Sequence, residues 1–107
     1  MTAIATRLEQ AIGSLRERFL QGLPARLDAI ATALERPAAR DVERGFHSLT
    51  GTAATYGLFG IAAVAAEGEQ ICDNAGDILD DATRERLGML VEQLRAVAMT
   101  WQRRIAC

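Results

Sequence analysis

The only histidine of this 107-residue chain, His47, lies in the stretch Phe46-His47-Ser48-Leu49-Thr50-Gly51-Thr52-Ala53-Ala54-Thr55-Tyr56-Gly57. At neutral pH an imidazole is mostly neutral and carries a free lone pair, so it can serve as base, metal ligand or nucleophile. Its direction on a helix decides among these. With Val42 as origin and about 100° per residue, Phe46, Leu49, Ala53 and Tyr56 fall within roughly 40° of one direction. On the same wheel His47 points to about 140°, beside Ala54 at about 120°, Arg40 at about 160°, Gly51 at about 180° and Arg44 at about 200°. Thr50 flanks it at about 80°. The histidine is therefore expected on the outer side, among two arginines and two very small residues. A lone surface histidine commonly has no chemical role, and outer arginines are commonly solvated. Gly51 is the less ordinary neighbour, since glycine within a helix costs about 1 kcal/mol relative to alanine. It leaves space beside the ring. A phosphoryl group carried by His47 would add negative charge, which Arg44 or Arg40 could offset.

Other chemistries find less support. A hydrolytic nucleophile needs a base and an orienting group, and Ser48, though adjacent to His47, points about 100° away from it. Glu67 and Glu69 diverge around a helix and make no acid–base pair. Glu43 lies one turn from His47, but no second His or Cys does, so no metal site is expected. No Gly-x-x-x-x-Gly-Lys phosphate loop occurs, which argues against an ATP-binding kinase or another self-contained enzyme. The formal net charge of -2 opposes nucleic acid as a main partner. Two cysteines, Cys72 and the terminal Cys107, make no disulfide framework. The first residues lack the apolar run of a signal peptide, and Leu58 to Ala66 is too short to span a bilayer. A cytoplasmic protein with no membrane role is expected.

The elements that must position His47 are helical. Half of the residues are hydrophobic but only 5% are aromatic, which suits closely packed helices built on Ala, Leu, Ile and Val. Ile4, Leu8, Ile12, Leu15, Phe19 and Leu23 recur at helical steps, and Leu27, Ile30 and Leu34 continue that face. Pro24 predicts a break, giving helices over about 3–21 and 24–35, or one kinked rod. Pro37 ends this run. A helix beginning near Ala38 or Asp41 carries Val42, Phe46, Leu49, Ala53 and Tyr56 inward and stops at Gly57. The next, over about 59–74, turns Ile61, Val64, Ala65, Gly68, Ile71 and Cys72 inward. After a turn at Asn74-Ala75-Gly76-Asp77, Asp80 or Asp81 caps a last helix with the stripe Leu87, Leu90, Leu94, Val97, Trp101 and Ile105. Arg103 and Arg104 complement its dipole. Short connections predict an all-α fold: an antiparallel four-helix bundle with an additional N-terminal helix, one domain over residues 1–107.

The ordered pattern around His47 resembles the signature of histidine-containing phosphotransfer (HPt) domains. That signature runs His-x-Leu-Lys-Gly, then small residues, then a glycine that ends the helix. Here it reads His47-Ser48-Leu49-Thr50-Gly51-Thr52-Ala53-Ala54, with Gly57 as the last glycine. On the next helix the family's apolar, Ala and Glu positions find Ile61, Ala65 and Glu69. Phe19, Leu23, Leu27 and Leu34 resemble its first core helices. The resemblance implies a histidine phosphotransfer protein that relays a phosphoryl group between aspartates of receiver domains in a multistep two-component phosphorelay. It makes His47 the phosphoacceptor beside Thr50 and Gly51; the wheel, not the signature, adds Arg44 and Arg40 around the phosphoryl group, and Glu43, Ala54 and Gly57 are expected on the docking surface. It implies no cofactor on this chain, Mg²⁺ on the partner receiver, and response-regulator receivers and a hybrid sensor histidine kinase as partners. A monomer is expected, and Met1 points to a free-standing protein. Two positions depart from the family: Thr50 replaces the lysine, removing a charge, and Gly68 replaces a larger apolar residue. The alternative reading is a phosphorylation-independent helical adaptor that binds a receiver or a sensor kinase through the same face.

Overall fold

The computed structural model describes residues 2–36 and 38–106, and the side chains of 3–36 and 38–104. Pro37, the Ile105 side chain and Cys107, all singled out above, lie outside these. Four helices follow one another: α1 (Thr2–Leu34), α2 (Ala39–Thr55), α3 (Phe59–Ala75) and α4 (Asp81–Ala106). The fold is all-α. Each helix packs on two others, α1 on α2 and α4, and α3 on α2 and α4, so the four close a ring around one core. Among the described residues no helix is long and apolar enough to cross a membrane.

Of the two readings at Pro24 the single rod holds and the separate N-terminal helix is absent: α1 runs through the proline. Proline removes one backbone hydrogen bond, but Leu20, Leu23, Leu27 and Ile30 on both sides of it are buried on one face. Packing of that face outweighs the local penalty. The N-terminal part of the expected core also differs. Ile4, Leu8, Ile12 and Leu15 are exposed, by 62% at Ile4 and 44% at Leu15.

Cross-helix contacts explain the difference. Arg84 Nε donates to the Leu34 carbonyl at 2.7 Å, and Arg95 pairs with Asp28 at 2.7 Å, so α4 runs back along α1. Arg16 Nε donates to the carbonyl of Tyr56, at the end of α2, at 2.9 Å. Both neighbours thus end near the middle of α1. About a dozen residues, ~18 Å at 1.5 Å each, project past them with no helix to cover their apolar stripe. Val97, near the end of α4, is likewise 45% exposed, and Trp101 is only half-buried.

At the opposite end the two connections are tied together. Ala38 and Ile78 form an isolated antiparallel bridge, and Ala39 N–H donates to the Asp77 carbonyl at 3.1 Å. Asp80, of the two candidates, caps α4: its carboxylate accepts from the Thr83 N–H at 2.7 Å. These bonds to Thr83 hold the Asp80 carboxyl below its usual range.

Two glycines let α2 sit close to its neighbours. A Cβ on Gly45 would stand 2.7 Å from Ile30 of α1, and one on Gly68 would stand 2.7 Å from the Phe46 ring. The departure at Gly68 therefore has a packing cause: Phe46, fully buried, occupies the space a larger residue would need.

Candidate functional site

The site is built on α2. Val42, Phe46, Leu49 and Ala53 are buried and Tyr56 half-buried, as the wheel requires, so the opposite side of α2 faces solvent. The helix ends in a Schellman arrangement. Gly57 takes φ +72°, its N–H donates to the Ala54 carbonyl at 3.0 Å, and Leu58 N–H donates to the Ala53 carbonyl at 2.9 Å. The chain then reverses into α3.

That reversal brings α3 alongside the histidine. The His47 side chain is 79% exposed, yet its Nδ1 is bonded to Oε1 of Glu69, a side chain only 24% exposed. With the carboxylate ionised and the ring neutral, the proton of this bond sits on Nδ1 and Nε2 holds the lone pair. Glu69 is the hydrogen-bond partner that helix periodicity alone did not supply. A usable signal was present, because helices joined by a tight turn bring together residues equidistant from it. His47 and Glu69 lie nearly so around Gly57 and Leu58.

Beside the ring lies a polar cleft of about 510 Å³ lined by Arg40, Glu43, Arg44, His47, Cys72, Asp73, Gly76 and Asp77. Both arginines proposed from sequence share it with His47, and among the described residues neither makes an ion pair. Glu43 is half-buried on the same wall. Cys72 is buried at its floor, and burial first, then Glu43 and Glu69, push its thiol up to about 11. It stays protonated at neutral pH and is no nucleophile.

The other sequence-derived residues take different places. Thr50 is half-buried, and its hydroxyl donates to the Phe46 carbonyl at 2.9 Å, within its own helix. Its proton is thus turned to the backbone and away from the solvent side of His47. Gly51 is exposed, and a Cβ there would meet nothing within 4 Å. Ala54 is exposed one turn further, and Gly57 lies at the C-terminal end of the same face. Ser48 is engaged on the α1 side, where Arg26 donates to its hydroxyl at 3.4 Å.

The imidazole points outward, with Nδ1 held by a carboxylate and the rest of the ring open to solvent. The family model described as the Hpt domain matches residues 14–97. The chain belongs to the Hpt domain family. Hpt domains carry out histidine phosphotransfer in phosphorelays and engage receiver domains and kinases of two-component systems. Searches of curated proteins and of solved structures returned no match. The matched segment of this Hpt domain contains His47, Glu69 and the whole polar cleft, and leaves out most of the uncovered part of α1.

Proposed function

We propose that this Hpt domain is an antiparallel four-helix bundle, one domain over the chain, that relays a phosphoryl group through His47 between aspartates of receiver domains. The observation that carries the reading is the hydrogen bond from Nδ1 of an exposed His47 to Glu69. In the first transfer the Nε2 lone pair attacks the phosphorus of an aspartyl phosphate on a receiver. The Nε2–P bond forms, the acyl O–P bond breaks, and the receiver's carboxylate leaves with the bonding pair. The ring becomes cationic, and the proton remains between Nδ1 and the Glu69 carboxylate, which offsets that charge. In the second transfer an aspartate oxygen of another receiver attacks the same phosphorus and His47 is regenerated.

Arg40 and Arg44, in the cleft beside the ring, supply part of the cationic environment that the family lysine gives. Lysine and arginine differ here: a guanidinium can hold two phosphoryl oxygens at once. Gly51 leaves room for a receiver to close over the ring, with Glu43, Ala54 and Gly57 around the contact. Mg²⁺ belongs to the receiver, and both partners meet this chain in the cytoplasm as a monomer.

The test is transfer of radiolabelled phosphoryl from a phosphorylated receiver. The expected product is an acid-labile, base-stable label on the wild type and none on His47→Gln. Equal labelling of the two would end this reading. The inward hydroxyl of Thr50 favours the adaptor alternative to a limited degree. That alternative forecasts receiver binding by His47→Gln with no label on any form of the chain.

A further inference from the structure

The bond between His47 and Glu69 joins an exposed imidazole to a half-buried carboxylate, and an exposed partner holds geometry weakly because it retains rotamer freedom and competes with water. Something beneath it must set the spacing. Each partner is preceded by one member of a buried contact: Phe46 before His47 on α2, and Gly68 before Glu69 on α3. Phe46 is fully buried, and Gly68 is buried directly against its ring. A Cβ at position 68 would stand 2.7 Å from Cδ1, 2.8 Å from Cε1 and 2.8 Å from Cγ of that ring. Cγ lies at the root of the ring, so no small rotation of the side chain relieves all three contacts. Close-packed interiors answer such an overlap by moving an element. Ala65 and Cys72, one turn to either side of Gly68, are also small and buried, so α3 has no bulk there to hold it further out.

We propose that Gly68, acting through Phe46, is a positioning residue for phosphotransfer. Its missing side chain fixes the α2–α3 separation at which Glu69 reaches Nδ1 of His47 and holds the ring in the Nδ1–H form. Its catalytic consequence rests on the phosphotransfer reading above; the effect on the ring does not. The buried contact and the exposed hydrogen bond are adjacent rungs of one ladder between the two helices. The first sets the register that the second uses.

The experiment compares wild type, Gly68→Ala, Phe46→Leu and the double variant as full-length chains. Two readings are taken: the ring ¹⁵N resonances of His47 at a pH where it is neutral, and the rate of labelling by a phosphorylated receiver. Wild type is expected to show a bare Nε2 and a protonated Nδ1. Gly68→Ala, folded by circular dichroism, is expected to show mixed tautomers and labelling slower by roughly ten- to a hundredfold. The double variant, in which the shorter Leu makes room for the added methyl, should recover both. An unchanged ring spectrum in folded Gly68→Ala overturns the proposal, as does a double variant no better than Gly68→Ala. Should Gly68→Ala not fold, the comparison passes to Phe46→Leu, which leaves the contact slack, and to the double variant, which refills it. The single change should then loosen the tautomer and the double restore it, and identical spectra overturn the proposal. A locked tautomer in a chain that never takes up label would instead contradict the phosphotransfer reading alone.

Discussion

Around His47, the side chains that differ from the family signature are accounted for by what they touch. Thr50 donates its hydroxyl to the Phe46 carbonyl, so it offers the phosphoryl group neither charge nor a free proton. Thr50→Lys should therefore lengthen the lifetime of the phosphorylated chain by adding a cation on the His47 side. This is measured as the decay of label after the donor is removed; an unchanged decay would mean that Arg40 and Arg44 already supply the charge. Gly51 has open space where a Cβ would be. Gly51→Leu should raise the melting temperature slightly, since leucine is the better helix former by up to about 1 kcal/mol. The same variant should lose most transfer from the receiver, and normal transfer would remove the clearance role. The wheel made the exposure of His47 legible, because Val42, Phe46, Leu49 and Ala53 leave only one direction for the core. Glu69 was less legible as a partner. It comes from another helix, and the pairing depends on a turn geometry that periodicity does not encode.

Helix boundaries were legible wherever a backbone requirement coincided with a residue type. Gly57 supplies the positive φ that closes α2, and Asp80 supplies the oxygen that opens α4. At Pro24 the two-helix reading failed and the single rod held, because proline's effect on an isolated helix is overruled by leucines buried on both of its sides. The cap at α4 carries its own pH signature. Hydrogen bonds from Thr83 lower the Asp80 pKa in the folded chain, so the unfolded chain binds the proton more readily. The stabilisation is present above the ordinary carboxylate range and is lost as pH falls through the lowered folded value. Asp80→Ala should thus melt a few degrees below wild type at neutral pH. The gap should close as the pH is taken below about 4. A gap that persists to strongly acidic pH would show that the cap works by something other than the ionised carboxylate.

Over the whole molecule, the core lies between the paired connections at one end and the level of Arg16 at the other. The overall dimensions of 53 × 30 × 17 Å reflect the length of α1, about 50 Å for its 33 residues. The family match begins at residue 14, close to where α1 gains its neighbours. Deleting residues 1–12 should therefore leave the melting temperature within a few degrees of wild type, because none of the described side chains from Ala3 to Ile12 joins the buried core. A large loss would mean that the apolar stripe from Ile4 to Ile12 is covered in solution. The sequence pattern alone pointed the other way for this stripe. Ile4, Leu8 and Ile12 have the same spacing as Leu23, Leu27 and Ile30, and periodicity records an apolar face without recording whether a partner helix is long enough to cover it.

The phosphoryl relay itself is tested most directly by following label from a phosphorylated receiver onto the chain, with wild type and His47→Gln side by side. The account predicts an acid-labile, base-stable label on wild type that can be chased to a second receiver, and no label on the variant. Label of equal amount on His47→Gln, or none on wild type while the receiver still binds, would contradict it.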